Sequence, residues 1–366
     1  MKKRILCVIG TRPEAIKMAP VVLALRKCPW AEVRVLATAQ HRQMLDQVLS
    51  LFDIVPDYDL DIMQQDQGLT ELTSRLLLAL DDAFGKASPH VVLAQGDTTT
   101  VMTVALACFY RKIPFAHVEA GLRTGDLVNP FPEEMNRVVA SRLAVLHFAP
   151  TRSARENLLR ENIPAGDIHV TGNTVIDALL LTAEKDRDPG VDMDTSRRLV
   201  VMTSHRRENF GEPMKEAFSA IRTLVERNDD IWLLYPVHPN PNVTKPAHEI
   251  LGEHPRIQLV EPLDYAPFVQ VMKMAHMIIS DSGGIQEEAP ALGKPVLVLR
   301  DETERPEAVE AGVVKLVGTR KESILREAER LLHDEKAYKK MARGVSPYGD
   351  GKAAERIVSI LGSCPR

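Results

Sequence analysis

Ile5-Leu6-Cys7-Val8-Ile9 is an unbroken apolar run, and Gly10-Thr11-Arg12-Pro13-Glu14-Ala15-Ile16-Lys17 follows it directly. A strand that does not alternate polar with apolar is buried on both faces, as inside a parallel sheet. Gly10 permits a tight turn and Pro13 suits the first turn of a helix, so a helix is predicted over 13–26. The same succession of apolar run, turn and helical pattern recurs downstream. Strands are predicted at 33–37, 91–94, 115–118 and 146–149, with a helix at 69–84. This is the βαβ pattern of a doubly wound α/β domain. A charged stretch, 184–198, holds Pro189-Gly190 and no apolar periodicity, and reads as a linker or surface insertion. Beyond it the alternation restarts, with strands predicted at 199–202, 231–235, 257–260, 277–279, 295–299 and 313–316. The chain therefore reads as two α/β domains in series, 1–170 and 171–345. Residues 346–366 read as a last helix, apolar at Ala353, Ile357, Ile360 and Leu361, that could pack back on either domain, the N-terminal one included.

Composition agrees with two domains: 366 residues, 45% hydrophobic and 26% charged, is ordinary globular usage. Lys and Arg number 46 against 50 Asp and Glu, a net charge of -4, which disfavours nonspecific nucleic-acid binding. No apolar run approaches the roughly 18 residues of a membrane span. The start reads as a buried first strand of a cytoplasmic protein, because Arg12 and Glu14 arrive too soon for a secretory leader. Cys7, Cys28, Cys108 and Cys364 show no CxxC spacing, so neither a disulfide nor a metal site is expected.

Ligands of open α/β sheets bind beyond the carboxyl ends of the strands, and two such domains facing a central cleft would offer two sets of these ends. After the first strand, Arg12 and Lys17 stand near a helix N-terminus, a ready anion site, although no GxxxxGK[ST] loop is present. After 91–94 comes Gln95-Gly96-Asp97-Thr98-Thr99-Thr100. Asp97 is either the cap of the next helix or a carboxylate facing the ligand, since Thr98 and Thr99 cap equally well. Glu119 ends the strand at 115–118. A carboxylate there needs a partner, either a structural pair with Arg123 or chemistry shared with Asp97. Glu133 and Glu134 open a helix as dipole partners or as further acids. Carboxylates gathered in one place raise each other's pKa, as acid–base work requires. In the second half His205 stands beside Arg206 and Arg207 at a strand end, and His238 ends the next strand as a functional or a satisfied loop histidine. Ser280-Asp281-Ser282-Gly283-Gly284-Ile285-Gln286-Glu287-Glu288 runs from a strand into a helix. Ser282, Gly283 and Gly284 let backbone N–H groups approach phosphate oxygens, Glu288 can accept from vicinal hydroxyls, and Arg305 can complete an anion clamp.

At these residues the sequence resembles the bacterial non-hydrolysing UDP-N-acetylglucosamine 2-epimerases. The likeness runs through 10–20, 38–45, 96–100, 117–125, 130–136, 171–178, 205–209, 280–289 and 300–309. It implies a GT-B-like pair of Rossmann-like domains around a central cleft, a homodimer, and no metal or redox cofactor. It implies reversible interconversion of UDP-GlcNAc and UDP-ManNAc by loss and re-addition of UDP through a 2-acetamidoglucal, supplying ManNAc-type precursors for cell-surface polysaccharide. By the same resemblance Asp97, Glu119 and Glu133 are the acid/base residues and His205 supports the leaving diphosphate. Arg12, Lys17, Ser282, Gly283, Gly284 and Arg305 contact phosphate or nucleotide, Glu288 the ribose and Phe268 the uracil. Gln40, His41, Gln43, Arg206 and His238 match positions tied to a second, activating UDP-GlcNAc. The chain departs from the family at Asp66, where some relatives carry a basic residue, and at Gln95, where His is frequent. The change at Gln95 is expected to matter little, since turn and carboxylate are kept. A GT-B glycosyltransferase and a hydrolysing epimerase remain alternatives at this level.

Overall fold

The protein, analysed as a computed structural model, is described over residues 2–38, 42–62, 67–185 and 187–364, with backbone only for 42–44. It divides into two units, Met1–Ala178 with Tyr348–Arg366, and Leu179–Pro347. The seam falls inside a helix, at 178/179 rather than 170/171.

The first unit runs β1 (Lys3–Ile9), α1 (Arg12–Arg26), β2 (Ala31–Ala37), α2 (Arg42–Leu51), β3 (Tyr58–Asp59), α3 (Leu69–Ala87), β4 (Val91–Gln95) and α4 (Thr99–Tyr110). It continues with β5 (Phe115–Val118), α5 (Glu133–Leu143), β6 (Leu146–Ala149), α6 (Arg152–Arg160), β7 (Ile168–Val170) and α7 (Thr174–Ala183), the seam helix. Its sheet has the order β3-β2-β1-β4-β5-β6-β7, and every pairing is parallel. Strands buried on both faces explain the unbroken apolar runs: Ile5 to Ile9 and Val91 to Ala94 are all buried. Leu6, Val8, Val92, Val104 and Phe115 join Phe84 in one core cluster.

The second unit runs β8 (Arg198–Thr203), α8 (Glu212–Arg227), β9 (Ile231–Pro236), α9 (Pro241–Leu251), β10 (Ile257–Val260), α10 (Tyr265–Met274) and β11 (Met277–Ser280). Then come α11 (Gly283–Ala291), β12 (Val296–Val298), α12 (Pro306–Glu310), β13 (Val314–Leu316), α13 (Lys321–His333) and α14 (Glu335–Met341). Its sheet order is β10-β9-β8-β11-β12-β13, again all parallel. The last helix, α15 (Ala353–Ser363), belongs to the first unit, where Lys3 Nζ donates to Leu361 O at 3.0 Å.

Both sheets have the doubly wound arrangement in which strand order reverses beside the first strand. The reversal lies between β1 and β4 in one unit and between β8 and β11 in the other. Ligands of such sheets bind outside the carboxyl ends at this switch point, where diverging connections leave a crevice. The turns after β1 and β4 carry Arg12 and Asp97; those after β8 and β11 carry His205 and Ser282.

Candidate active site

In the first unit the turns after β1, β4 and β5 are brought together by two parallel pairings, β1 with β4 and β4 with β5. A Cβ at Gly10 would stand 2.7 Å from Thr100 Oγ1 and 2.9 Å from Thr38 Oγ1, so the turn after β1 admits no side chain. Thr11 caps α1, and Arg12 is its half-buried first residue. Glu14 Oε2 accepts from Gly10 N at 2.5 Å and Thr11 N at 3.2 Å, while its Oε1 accepts from Thr98 Oγ1 at 2.6 Å. Thr98, not Asp97, caps α4, accepting from Val101 N. Gly96 precedes Asp97 with φ at 90°, a turn that costs glycine little.

Asp97 is thereby left to interactions of its own. Its Oδ2 accepts from Arg137 Nη2 at 2.6 Å, and its backbone oxygen accepts from Asn136 Nδ2 at 2.9 Å. Loss of hydration pushes its carboxyl above the usual range; Arg137 and Lys17 oppose the shift, Glu119 and Glu133 add to it.

Glu119 follows β5 with φ at 63°, in the left-handed region, and is 9% exposed. Lys17 Nζ donates to its Oε1 at 2.8 Å and Oε2 at 2.6 Å, and Gln95 Nε2 donates to Oε2 at 2.6 Å. One expectation changes here: Arg123 is not the partner of Glu119; it pairs with Glu161 at 2.6 Å. Gln95, where the family often has His, has its amide bonded to a predicted acid/base residue. Glu133 is the half-buried first residue of α5, near enough for its charge to act on Asp97. Glu134 is buried, accepts from Thr124 N and Gly125 N at 3.0 Å each, and pairs with Arg137 at 3.2 Å. Asp97, Glu119, Lys17 and Glu133 thus form one electrostatic group, framed by Glu14, Gln95, Asn136 and Arg137. Sequence reasoning noted Gln95 only as a departure from the family and did not name Glu14, Asn136 or Arg137 as site residues. Only strand adjacency reveals Gln95 and Glu14; the acid-rich start of α5 was the available signal for Arg137.

In the second unit the switch point is organised by Asp281, a fully buried carboxylate that the sequence reading did not single out. It accepts from Ser204 Oγ at 2.9 Å, His205 N at 2.9 Å, Arg206 N at 3.0 Å and Asn209 Nδ2 at 3.3 Å. Its Oδ1 lies 3.3 Å from His205 Nδ1. His205 is held in this way above Asp281, and His238 stacks on it with ring centroids 5.7 Å apart. Burial lowers the His205 pKa; Asp281 opposes this, while Arg206 and His238 reinforce it.

Ser282 precedes α11 in extended conformation, and its own N–H is taken by Ser280 Oγ at 2.9 Å. The N–H groups of Gly283 and Gly284 open the helix. A Cβ at Gly283 would meet only Arg206 Nη2, at 3.7 Å, and one at Gly284 only Glu288 Oε1 and Ser282 Oγ, at 3.7 and 3.8 Å. Neither packing nor backbone conformation demands glycine at these positions, so the bare backbone leaves room for an approaching group. Glu288 and Phe268 are half-buried, on α11 and α10. Arg305, expected as an anion clamp, has its Nε bonded to the buried carboxylate of Glu287. Gln40, His41 and Asp66 lie outside the described residues, as does the side chain of Gln43. Among the described residues no three His, Cys, Asp or Glu are grouped to hold a metal ion, and no helix is long and apolar enough to cross a membrane.

Comparison with known proteins extends these observations. The family model described as UDP-N-acetylglucosamine 2-epimerase matches residues 23–362. The Escherichia coli K12 protein UDP-N-acetylglucosamine 2-epimerase is 54% identical over 370 aligned positions, covering 98% of each chain. The protein of that name from Bacillus subtilis 168 is 53% identical, over 99% of this chain and 96% of its own. The crystal structure of UDP-GlcNAc 2-epimerase from Neisseria meningitidis bound to UDP-GlcNAc superposes with a TM-score of 0.88 at 48% identity. It covers 99% of this chain and 100% of that one.

Proposed function

The chain belongs to the UDP-N-acetylglucosamine 2-epimerase family, and from this we propose that it is an isomerase interconverting UDP-GlcNAc and UDP-ManNAc. The observation that carries the reading is the group formed by Asp97 and Glu119, at the carboxyl ends of β4 and β5, with Lys17 of α1 and Glu133 of α5. Inverting C2 requires one group to remove its proton and another to return a proton to the opposite face, and a site with several carboxylates can supply both. In the proposed reaction a carboxylate takes the C2 proton and the C–H electron pair forms the C1=C2 bond. The C1–O bond breaks and UDP leaves with its electrons. A second acid then protonates C2 from the other face as UDP adds back to C1.

Burial of Asp97 among neighbouring charges holds back its ionisation, which suits a group that must both hold and give up a proton. His205 sits on the Asp281 carboxylate, where the negative charge of a leaving diphosphate would be met by the imidazole, Arg206 and the Gly283 and Gly284 amides. Glu288 is assigned to the ribose, Phe268 to the uracil, and Arg12 and Arg305 to the nucleotide. Lys17 is assigned first to Glu119, which it contacts, and to phosphate only secondarily. Assembly as a homodimer and activation by a second UDP-GlcNAc belong to the same proposal. Arg206 and His238 are the described side chains that the activator would use.

Incubating UDP-GlcNAc alone with the protein in deuterated buffer and following C2 by proton NMR tests the reading. Deuterium at C2 with UDP-ManNAc accumulating is the expected result. Turnover only when an acceptor is added would make the protein a transferase, and free UDP released at the rate of turnover a hydrolase. Asp97→Asn is expected to abolish exchange yet hold UDP affinity within about tenfold, or roughly 1.4 kcal/mol.

A further inference from the structure

Gln95 ends β4 and is 3% exposed, after four residues that are entirely apolar. A buried amide costs about 1–3 kcal/mol unless its polar atoms are satisfied. Its Nε2 is satisfied by one group, Glu119 Oε2, at 2.6 Å. The strand register that pairs Gln95 with Val118 sets the amide beside the residue that follows Val118. Glu119 holds a backbone conformation that costs a non-glycine residue of order 1–3 kcal/mol. Its direction is therefore imposed by its surroundings.

Each carboxylate oxygen has two acceptor positions. Oε2 receives Lys17 Nζ at 2.6 Å and Gln95 Nε2 at 2.6 Å, and is filled. Among the described residues Oε1 receives Lys17 alone, at 2.8 Å, and keeps one position.

We propose that Gln95 is a positioning residue for the C2 proton transfer: its amide locks the Glu119 carboxylate and leaves Oε1 as the oxygen that meets the substrate. Gln95 does not titrate, so it can hold Glu119 in one orientation whatever the protonation of the other acids. A lysine alone lacks this directional control, because its three donors rotate freely about one bond.

The inference rests on the epimerase reading, and the test separates the two. Gln95→Met keeps length and bulk and removes the donor. Gln95→His returns an N–H at about the same reach. With C2 deuterium exchange on UDP-GlcNAc as the assay, Gln95→Met is expected to lose roughly tenfold or more in kcat. Its KM and melting temperature should stay near wild type, and Gln95→His should recover most of the loss. A misplaced carboxylate slows proton transfer without weakening nucleotide binding, whereas a purely structural defect would lower the melting temperature and would not be mended by histidine. Full kcat in Gln95→Met, or no recovery in Gln95→His, overturns the proposal. Should the methionine variant fail to fold, Gln95→Glu replaces donor by acceptor at the same shape. It must then show the kcat loss with UDP affinity kept, and full kcat there overturns the proposal equally. A wild-type protein without exchange removes the epimerase reading, and this inference with it.

Discussion

Glu14 is 2% exposed, and its carboxylate joins two turns: Gly10 and Thr11 through Oε2, and Thr98 through Oε1. Thr-x-x-Glu at the start of a helix is the capping box, normally a surface feature. That reading accounts for Thr11, and nothing local in the sequence points further. The bond to Thr98 exists because β4 lies beside β1, which a linear reading does not number. The bonds of Lys17 and Gln95 to Glu119 are hidden for the same reason, since each joins segments remote in the chain. Burial raises the Glu14 pKa from 4.5 to about 7; bonds from Thr98, Gly10 and Thr11 oppose the shift and Asp97 adds to it. A folded-state pKa above the unfolded one stabilises fully below the unfolded value and loses that contribution as pH rises through the folded one. Here the loss runs between about pH 4.5 and 7, amounting to about 3 kcal/mol at most. Glu14→Gln keeps the acceptor for the two amides and cannot ionise. The melting temperature of wild type should therefore fall relative to that of Glu14→Gln as pH rises from 5 to 8. Parallel curves would show that Glu14 ionises in the folded protein as it does in the open chain.

Helix α11 shows what an element adds to its residues. Nine residues long, it begins at the switch point of its sheet, with Gly283 and Gly284 as its first two positions and Glu288 about one turn on. The helix N-terminus supplies N–H groups and partial positive charge, and the turn of helix sets Glu288 to one side of it. This was legible in advance because strand, turn and helix are contiguous, as they are for Arg12 and Asp97. Elements without a local signal were not legible. β3 has two residues and β7 three, too short for any apolar run, and they are strands only because β2 and β6 offer them edges. The Asp281 carboxylate was missed because its donors come from the turn after β8, remote in the chain. Glu288→Ala is expected to weaken UDP binding by about 1–3 kcal/mol, the worth of charged hydrogen bonds to ribose, with the melting temperature little changed. Titration calorimetry with UDP measures this, and wild-type affinity in the variant would remove Glu288 from the nucleotide.

At the scale of the whole chain, the two α/β units were readable from the restart of the β/α alternation, but the seam was not. The charged, Pro-Gly-bearing stretch 184–198 has the composition of a linker, whereas the division falls at 178/179 within the continuous helix α7. A helix carries no compositional mark where its packing partner changes. The first unit is also discontinuous, since it includes Tyr348–Arg366. The return is fixed by specific bonds: Asn173 N to Tyr348 O at 2.6 Å, and Ala353 N and Ala354 N to the Asp177 carboxylate at 3.2 and 2.8 Å. Arg356 Nη1 adds a bond to Thr171 O at 3.0 Å. Ile357, Val358 and Leu361 of α15 are buried. Each such side chain stabilises by about 1.5–3 kcal/mol, a large fraction of the roughly 5–15 kcal/mol that holds a domain folded. Ending the chain at Pro347 should therefore open the first unit selectively. Amide hydrogen exchange is expected to accelerate in β1 and α1, against which α15 rests, while β8, β9 and β11 retain their protection. Uniform acceleration across both sheets, or a loss centred on the second, would mean that the terminal helix does not serve the first unit alone.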